Sequence, residues 1–242
     1  MFSEEECKRI LRSLEKLSHL WVPQGPDFGP DQFFFTVGAV TYIDYGVSSE
    51  RYEARVAESN NDMRREFGWA YEKIQSAFES LIGRSVISPD LGPPGFHVFS
   101  RRGMMGVPGD PEVRKMMAKS LGAPEHYDIQ HLYHKEYFES FSSFDFERTL
   151  SFTIPVLLPD MSCGLNVHDP NLEVVFKDSD DYLSQTKPDR FFIDYSLGNA
   201  FYHFGKIKHQ IAANESNLTP GSSRITIQGH GVMCDGVWQL YF

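Results

Sequence analysis

The sequence predicts a mainly β protein whose first third carries helices. Apolar residues at helical spacing are confined to about the first 82 residues. From Gly83 onward, short runs rich in β-branched and aromatic residues alternate with clusters of Gly, Pro and Asp. Closely spaced short strands of this kind favour a barrel or a sandwich. Aromatic residues make up 14% of the chain, which suits a broad interior lined by rings.

Two helices and one strand are expected in the first third. Ser3 and Glu6 form a capping box, and the apolar spacing behind them predicts a helix over residues 4–18. An aromatic and β-branched run predicts a strand over Phe33–Tyr45. A longer helix is expected over residues 50–82. Its apolar face comprises Met63, Phe67, Tyr71, Ile74, Phe78 and Leu81.

The remainder is predicted to form a β-rich core with one short helix at about Pro111–Ser120. Its candidate strands are Gly95–Ser100, His126–Leu132, Leu150–Leu158, Leu165–His168, Asp194–Tyr195, Ala200–Phe204, His209–Ala212, Arg224–Gly229 and Trp238–Phe242. The predicted organisation is a single compact domain, in which residues 1–85 pack as a helical and strand elaboration on a core of residues 86–242.

Charge and cysteine content restrict the partners and the compartment. The net charge of −10 argues against binding to nucleic acid or to an acidic membrane surface. The three cysteines are far apart and lack CxxC spacing, as expected of free thiols in a reducing compartment. The N-terminus is acidic and no stretch approaches 18 apolar residues, so neither a signal peptide nor a membrane span is expected. A cytoplasmic protein is the resulting expectation.

Two His-x-acid triplets could supply a pair of metal ligands. On a strand, residues two apart point to the same face, so either His126 with Asp128 or His134 with Glu136 could hold one ion. We favour His126 and Asp128, because their apolar neighbours indicate an ordered strand and aspartate is the more compact ligand. His134 and Glu136 lie among Lys, Glu and Ser, a composition typical of a solvated turn or helix start, and remain the alternative pair.

A third ligand is expected on a later strand. His209 fits, because Ile207 and Ile211 flank it in a period-two pattern. His203 is the competitor, and its flanking aromatic residues suit a packed strand position. His230 follows the arginine described next and so stands in the wrong order. Two imidazoles and one carboxylate on one face of iron(II) leave the other face open, which is the facial triad of non-haem iron oxygenases.

Arg224 is the candidate for binding an organic co-substrate. Alternation places Arg224, Thr226 and Gln228 on one face of a strand and Ile225 and Ile227 on the other. A polar face turned inward suits a strand that borders a polar cavity. Because a buried arginine without an anion is costly, we expect it to bind a carboxylate, which its planar fork matches in two hydrogen bonds.

In this order, His126-x-Asp128, His209 and Arg224-x-Thr226 resemble the pattern of the iron(II)/2-oxoglutarate-dependent dioxygenases. The resemblance covers residues 86–242. Further similar stretches are Pro94–Phe99, Leu150–Ile154 with Gly164–Val167, and Gly198–Phe201. The resemblance implies a cupin-like double-stranded β-helix, or jelly roll. It also implies that His126, Asp128 and His209 bind iron, while Arg224, helped by Thr226, binds the far carboxylate of 2-oxoglutarate.

The same resemblance implies an oxygenase that uses Fe(II), 2-oxoglutarate and O2, with ascorbate as an additive in vitro. It would hydroxylate, desaturate or cyclise a small molecule, such as an amino acid or a natural-product intermediate, and release succinate and carbon dioxide. Residues for substrate contacts are Gln130, His131, Tyr133 and Arg101, with the segment 103–125 as a lid. The alternatives are a non-catalytic jelly-roll binding module and a cupin-type metalloenzyme that does not use 2-oxoglutarate and therefore does not need Arg224.

Overall fold

A computed structural model describes residues 1–24, 34–100, 125–159, 163–168, 191–212 and 223–242. The expected class, mainly β with helices, is confirmed within this part of the chain. The helices are α1 (Glu4–Lys16), α2 (Ser49–Ile82) and α3 (Lys135–Glu139), with 3-10 turns at Ser18–Leu20 and Gln130–His134 and a π-helical turn at Thr41–Tyr45. The helix expected at Pro111–Ser120 lies outside the described residues.

The strands form two sheets. They are β1 (Val22–Pro23), β2 (Phe34–Val37), β3 (Ser85–Ile87), β4 (Gly95–Ser100), β5 (Phe144–Leu157), β6 (Gly164–His168), β7 (Phe191–Asp194), β8 (Phe201–Phe204), β9 (Lys208–Ala212), β10 (Ser223–Cys234) and β11 (Val237–Tyr241). In the described residues, the large sheet follows the order β1-β2-β4-β10-β11-β3, with β5 pairing β10 and β8. The small sheet follows the order β7-β6-β9. The boundary between elaboration and core at residue 85 stays a prediction.

Strand β10 is the centre of the large sheet. Its first half, up to Gln228, pairs antiparallel with β4, and its second half, from His230, pairs antiparallel with β11. Strand β5 runs antiparallel along the other edge of β10, with register shifts after Ile225 and after Val232. Strand β10 therefore determines where residues of β4, β5 and β11 lie relative to one another. Both β5 and β10 extend well beyond the strands expected from the sequence.

The two faces of the large sheet differ in polarity. One face packs on α1 and α2 in a single apolar cluster, to which the sheet contributes Phe96, Val98, Ile154, Ile225 and Ile227 and the helices contribute Ile10, Leu14, Phe67, Ile74 and Phe78. The alternate positions His97, Ser151, Thr153, Gln228 and His230 line a cavity on the opposite face. The period-two alternation expected for β10 is thus present, with isoleucines towards the helices.

Both long helices form where the spacing of apolar residues predicts them. The Ser3 hydroxyl accepts from the backbone N–H of Glu6, and the Glu6 carboxylate accepts from that of Ser3, so the capping box is present. On α2 the expected face is buried from Met63 to Phe78. Leu81 is the exception, because the helix ends at Ile82 and the Leu81 side chain is 61% exposed. None of the helices in the described part of the chain has the length and apolarity that crossing a membrane requires.

The strand expected over Phe33–Tyr45 is wrong in its second half. It ends at Val37, because Gly38 has a φ of +107°, a conformation that side-chain-bearing residues rarely adopt. A π-helical turn then spans Thr41–Tyr45. The Asp44 carboxylate accepts from the Val40 backbone N–H at 2.9 Å, and the buried Thr41 hydroxyl donates to the Phe242 carbonyl at 2.5 Å. Local polar groups therefore override the β-branched composition.

The strand expected over His126–Leu132 is also wrong. Only His126 makes a β-bridge, and a 3-10 turn begins at Gln130 and leads into α3. The apolar side chains that indicate a strand, Tyr127, Ile129 and Leu132, are all more than 40% exposed. The buried residues from His126 to Phe138 are instead Asp128, Gln130, His131, His134 and Phe138. From Gln130 onward they suit the 3-10 turn and α3, but polar side chains occupy most of these positions, so hydrophobic periodicity could not reveal it.

His134 belongs to the core rather than to a metal site. Its Nε2 lies 2.8 Å from the Thr41 hydroxyl, and its ring contacts those of Tyr45, Tyr52 and Tyr241. The Glu136 side chain is exposed. The structure therefore does not bring the alternative His134 and Glu136 pair together as ligands. Burial, with a smaller contribution from His230, lowers the pKa of His134 to about 4.

We expect this buried histidine to make stability depend on pH. A histidine in the unfolded chain has a pKa near 6.5. Below pH 6.5 the unfolded chain therefore binds a proton at His134 that the folded protein does not bind. Stability should fall as the pH drops from about 6.5 to 4, by up to about 3 kcal/mol from this residue. Urea unfolding at pH 7.5, 6 and 5 measures the slope. His134→Gln should reduce the slope, while the buried His97 and His230, whose pKa values are also lowered, keep part of it. Equal slopes in both proteins would contradict the assignment.

Candidate metal centre

A cavity of about 310 Å³ lies between the two sheets. The large sheet contributes lining residues from β4, β5, β8 and β10, and the small sheet contributes residues from β6 and β9. The segment after Glu125 and the π-helical turn complete the described wall. The cavity lining includes Tyr42, His97, His126, Tyr127, Asp128, Ile129, Gln130, Tyr133, Ser151, His203, His209, Gln228 and His230.

His126, Asp128 and His209 meet at this cavity. The His126 Nε2 lies 3.8 Å from Asp128 Oδ1, and the His209 Nε2 lies 3.6 Å from Asp128 Oδ2. One ligand atom from each residue lies within 4.8 Å of the other two. The backbones of His126 and His209 form a β-bridge, with reciprocal N–H to carbonyl hydrogen bonds of 2.9 and 3.0 Å. The peptide groups of the two histidines thus hold their side chains adjacent.

The ring of His209 is held in place by a hydrogen bond from its Nδ1 atom. Its Nδ1 lies 2.9 Å from the backbone carbonyl oxygen of Ile207, so Nδ1 carries the proton and donates. The lone pair is therefore on Nε2, the atom that faces Asp128. A histidine ligand anchored through its second ring nitrogen is the usual arrangement at protein metal sites. Burial lowers the pKa of His209, and the nearby Asp128 carboxylate partly opposes this.

His203 lies equally close to the carboxylate. Its Nε2 is 3.6 Å from Asp128 Oδ2, the same oxygen that His209 faces. Its Nδ1 is buried and has no hydrogen-bond partner within the described residues, in contrast to the anchored Nδ1 of His209. Because an anchored ring is the better metal ligand, His209 is the stronger ligand candidate of the two, and His203 is a neighbour that faces the same carboxylate oxygen.

The surroundings of Asp128 favour its ionised form. Burial opposes ionisation, but the facing His203, together with the fields of His230 and His209, outweighs it and holds the pKa of Asp128 well below its ordinary value. The Gln130 amide donates to Asp128 Oδ1 at 3.1 Å. A buried carboxylate ringed by imidazoles is a ligand that stays deprotonated at neutral pH.

The residues present fit a divalent ion. Ligand atoms bound at about 2.1 Å and at right angles around one ion lie about 3 Å apart. The separations of 3.6 and 3.8 Å run to the two different oxygens of Asp128, and the three ligand atoms lie within 4.8 Å of one another. The side chains would therefore move inward by up to about 2 Å in total to close around an ion. Two imidazoles and one carboxylate suit Fe(II) and leave positions open for other ligands.

Arg224 is buried on β10, as the alternation predicts. It is 5% exposed, pairs across the sheet with Phe99, and holds its guanidinium carbon 4.2 Å from the centre of the Phe99 ring. Burial lowers the pKa of Arg224, and Tyr195 and Cys163 oppose this. Tyr195 is also buried, and its hydroxyl has no hydrogen-bond partner among the described residues. A buried cation and a buried phenol therefore lie near each other.

The other residues expected at the site differ in where they lie relative to the cavity. Thr226 is 1% exposed and lies two positions beyond Arg224, opposite His97 of β4. Gln130 and Tyr133 line the cavity. His131 is turned away from it, because its buried ring packs 5.2 Å from that of Phe146. Arg101 lies outside the described residues, as does the expected lid except for its last residue.

Several cavity residues were not expected from the sequence. Tyr42, His97, Ser151 and His230 all line the cavity. The sequence does contain a signal for His97, which alternates with the core residues Phe96 and Val98 and must therefore face the other side of β4. No comparable signal marks Tyr42, because it reaches the cavity through the π-helical turn that replaces the expected strand.

No family model matches the chain, and no curated protein matches its sequence. The solved structures that match include the non-heme alpha ketoglutarate dependent epimerase SnoN from nogalamycin biosynthesis, with a TM-score of 0.43, 13% identity, and coverage of 96% of this chain and 77% of that chain. Its complex with Fe3+, alpha ketoglutarate and nogalamycin RO gives a TM-score of 0.45 at 13% identity, with 94% and 75% covered. The non-heme alpha ketoglutarate dependent carbocyclase SnoK from nogalamycin biosynthesis matches with a TM-score of 0.39 and 12% identity. The match covers 100% of this chain and 89% of that chain.

Proposed function

We propose that this chain is an iron(II)- and 2-oxoglutarate-dependent oxygenase that hydroxylates, desaturates or cyclises a small molecule. The observation that carries the proposal is the meeting of His126, Asp128 and His209 within 4.8 Å beside a cavity. Arg224, buried on the strand that also contributes Gln228 and His230 to that cavity, supports the choice of co-substrate.

We propose further that the two sheets form a double-stranded β-helix. Both sheets contribute to one cavity, with His203 and His230 coming from the large sheet and His209 from the small one. In a jelly roll, two facing sheets enclose the site in this way. The helices α1 and α2 then cover the outer face of the large sheet, where the apolar cluster lies.

Arg224 and Tyr195 are the groups proposed to hold the far carboxylate of 2-oxoglutarate, assisted by Thr226. A guanidinium offers paired N–H donors to a carboxylate, and the Tyr195 hydroxyl, near Thr153, is a second buried donor. Burial raises the pKa of Tyr195 to about 12, although Arg224 and the Thr153 hydroxyl lower it in part, so the phenol keeps its proton at neutral pH. Both donors suit an anionic co-substrate, although neither is among the residues that line the described cavity.

In this mechanism the chain supplies positioning and charge. Fe(II) with 2-oxoglutarate and O2 would supply the oxidising chemistry, which converts a substrate C–H to C–OH while 2-oxoglutarate becomes succinate and carbon dioxide. Asp128 would offset part of the metal charge, and His203 and Gln130 would fix its orientation. The carbonyl of Ile207 would hold the tautomer of His209. The cavity walls would exclude water from the reacting groups.

Binding and turnover together test the function. We expect the purified protein to bind one Fe(II) under anaerobic conditions and then to bind 2-oxoglutarate, as measured by equilibrium dialysis. With O2 and ascorbate, the loaded protein should release succinate and carbon dioxide slowly without substrate. Iron binding without 2-oxoglutarate binding would favour the cupin-type metalloenzyme instead. Failure to bind iron would favour a non-catalytic binding module.

A further inference from the structure

A hydrogen-bonded pair of side chains, Tyr42 and His97, faces the cavity apart from the proposed ligands. The hydroxyl oxygen of Tyr42 lies 2.8 Å from Nε2 of His97, and both side chains line the cavity. His97 is 3% exposed, and the rings of Phe34, Phe99 and Phe242 pack around it. The Tyr42 ring is 37% exposed, so it lies at the opening of the cavity while its partner lies in the wall.

The direction of this hydrogen bond follows from the other nitrogen of His97. The Nδ1 atom is buried and has no hydrogen-bond partner within the described residues. A neutral imidazole carries one proton, and a buried N–H left without an acceptor is rarer in proteins than a buried acceptor left without a donor. The proton therefore belongs on Nε2, where it donates to the Tyr42 oxygen. Burial, together with the nearby charge of Arg224, lowers the pKa of His97 to about 3, in keeping with a neutral ring.

The proton of Tyr42 is then left for a different acceptor. Its oxygen is occupied by the His97 donor, and within the described residues its hydroxyl has no second hydrogen bond. The hydroxyl end is surrounded by protein, and burial, with the charges of Asp128 and Asp44, raises the pKa of Tyr42 above its ordinary value. Tyr42 thus presents a protonated donor, held by His97, to the space beside Asp128.

We propose that Tyr42 donates a hydrogen bond to a neutral carbonyl or hydroxyl oxygen of the substrate and that His97 positions it, which rests on the function proposed above. A neutral oxygen suits this position, because Tyr42 and His97 are both uncharged and the negative charge of Asp128 acts on the Tyr42 hydroxyl, which disfavours an anion there. Tyr127, Ile129 and Tyr133 line the same cavity and are each at least 39% exposed. The substrate class is therefore an uncharged, oxygen-bearing compound with an apolar flank.

Matched small probes test the donor without knowledge of the natural substrate. Acetophenone and ethylbenzene share a ring and differ in the carbonyl group, and benzoate carries a charge in its place. Ligand-observed NMR on protein loaded with Zn(II) and 2-oxoglutarate measures their affinities. We expect the wild type to prefer acetophenone over ethylbenzene by about 3- to 10-fold, and Tyr42→Phe to remove that preference. The control is Tyr45→Phe, in the same turn but outside the cavity lining, which should keep it.

The positioning role of His97 has its own readout. His97→Gln, which can still donate to Tyr42, should retain more of the acetophenone preference than His97→Leu, which cannot. Equal affinities of the wild type for acetophenone and ethylbenzene, or tighter binding of benzoate, would overturn the proposal. So would a Tyr42→Phe protein that loses affinity for 2-oxoglutarate while keeping the carbonyl preference. A wild type that prefers acetophenone but never binds 2-oxoglutarate would instead refute the oxygenase function and leave the Tyr42 donor standing.

Discussion

Replacing His209 by alanine is expected to weaken iron binding severely, and with it every activity that depends on iron. Structural metal sites with four protein ligands contribute about 10–16 kcal/mol, so one ligand accounts for roughly 3–4 kcal/mol, or about 100- to 1000-fold in affinity. Of the proposed ligands, His209 has the side chain that the Ile207 carbonyl anchors, so its loss should have an effect at the upper end of that range. Fe(II) affinity by anaerobic equilibrium dialysis and succinate release from 2-oxoglutarate are the two measurements.

His203 provides the matched control for this experiment. Its Nε2 lies at the same 3.6 Å from Asp128 Oδ2 as that of His209, and both side chains are buried. If His203 only orients the carboxylate, His203→Ala should weaken iron binding by about tenfold, as expected for a group outside the ligand set. A larger loss of iron in His203→Ala than in His209→Ala would exchange the two assignments and place the ligand on β8.

Replacing Arg224 by methionine is expected to have the second-largest effect, confined to 2-oxoglutarate. Methionine preserves much of the apolar packing against Phe99 but removes the charge. Loss of one partner from a buried, hydrogen-bonded charge pair costs about 2–5 kcal/mol, so the dissociation constant of 2-oxoglutarate should rise by at least roughly 30-fold. Fe(II) binding should not change. Calorimetric titration of 2-oxoglutarate into iron-loaded protein, without oxygen, measures the effect.

Two milder variants show whether geometry as well as charge matters at this position. Arg224→Lys keeps the positive charge but loses the planar fork, so it should recover only part of the affinity. Tyr195→Phe removes the buried hydroxyl alone and should weaken 2-oxoglutarate binding by about tenfold. An unchanged dissociation constant in Arg224→Met, with the protein folded by circular dichroism, would remove Arg224 from the co-substrate site and support the cupin-type alternative.

The parts of the fold that the sequence predicts well are those governed by one periodicity. The apolar residues of α2 recur at steps of three and four, and β4 lies between Pro94 and the end of an alternating run. The segment after His126 departs from the expected strand because its alternating apolar residues, Tyr127 and Ile129, are exposed, while its buried residues are mostly polar. The ordered strand that favours His126 and Asp128 is therefore absent, although the structure does place those two residues beside His209.

The part of the site that the sequence could not predict depends on contacts between distant segments. His203 approaches Asp128 because β8 pairs with β5, a register that no local pattern encodes. Tyr42 reaches His97 only because the chain leaves β2 at Gly38 and turns at Thr41. The order of His-x-Asp, His and Arg in the sequence indicates a metal site with a carboxylate-binding arginine. The neighbours that tune it are determined by strand pairing and by turns.

The β-bridge between His126 and His209 joins two distant stretches of chain at the proposed ligand set. One stretch follows a long segment after β4, and the other is an edge strand of the small sheet. A bound ion would add side-chain bonds to the two peptide hydrogen bonds and so behave as a removable cross-link. Loading the metal would therefore also restrain how freely the small sheet opens, so resistance to proteolysis near β9 would follow the iron supply.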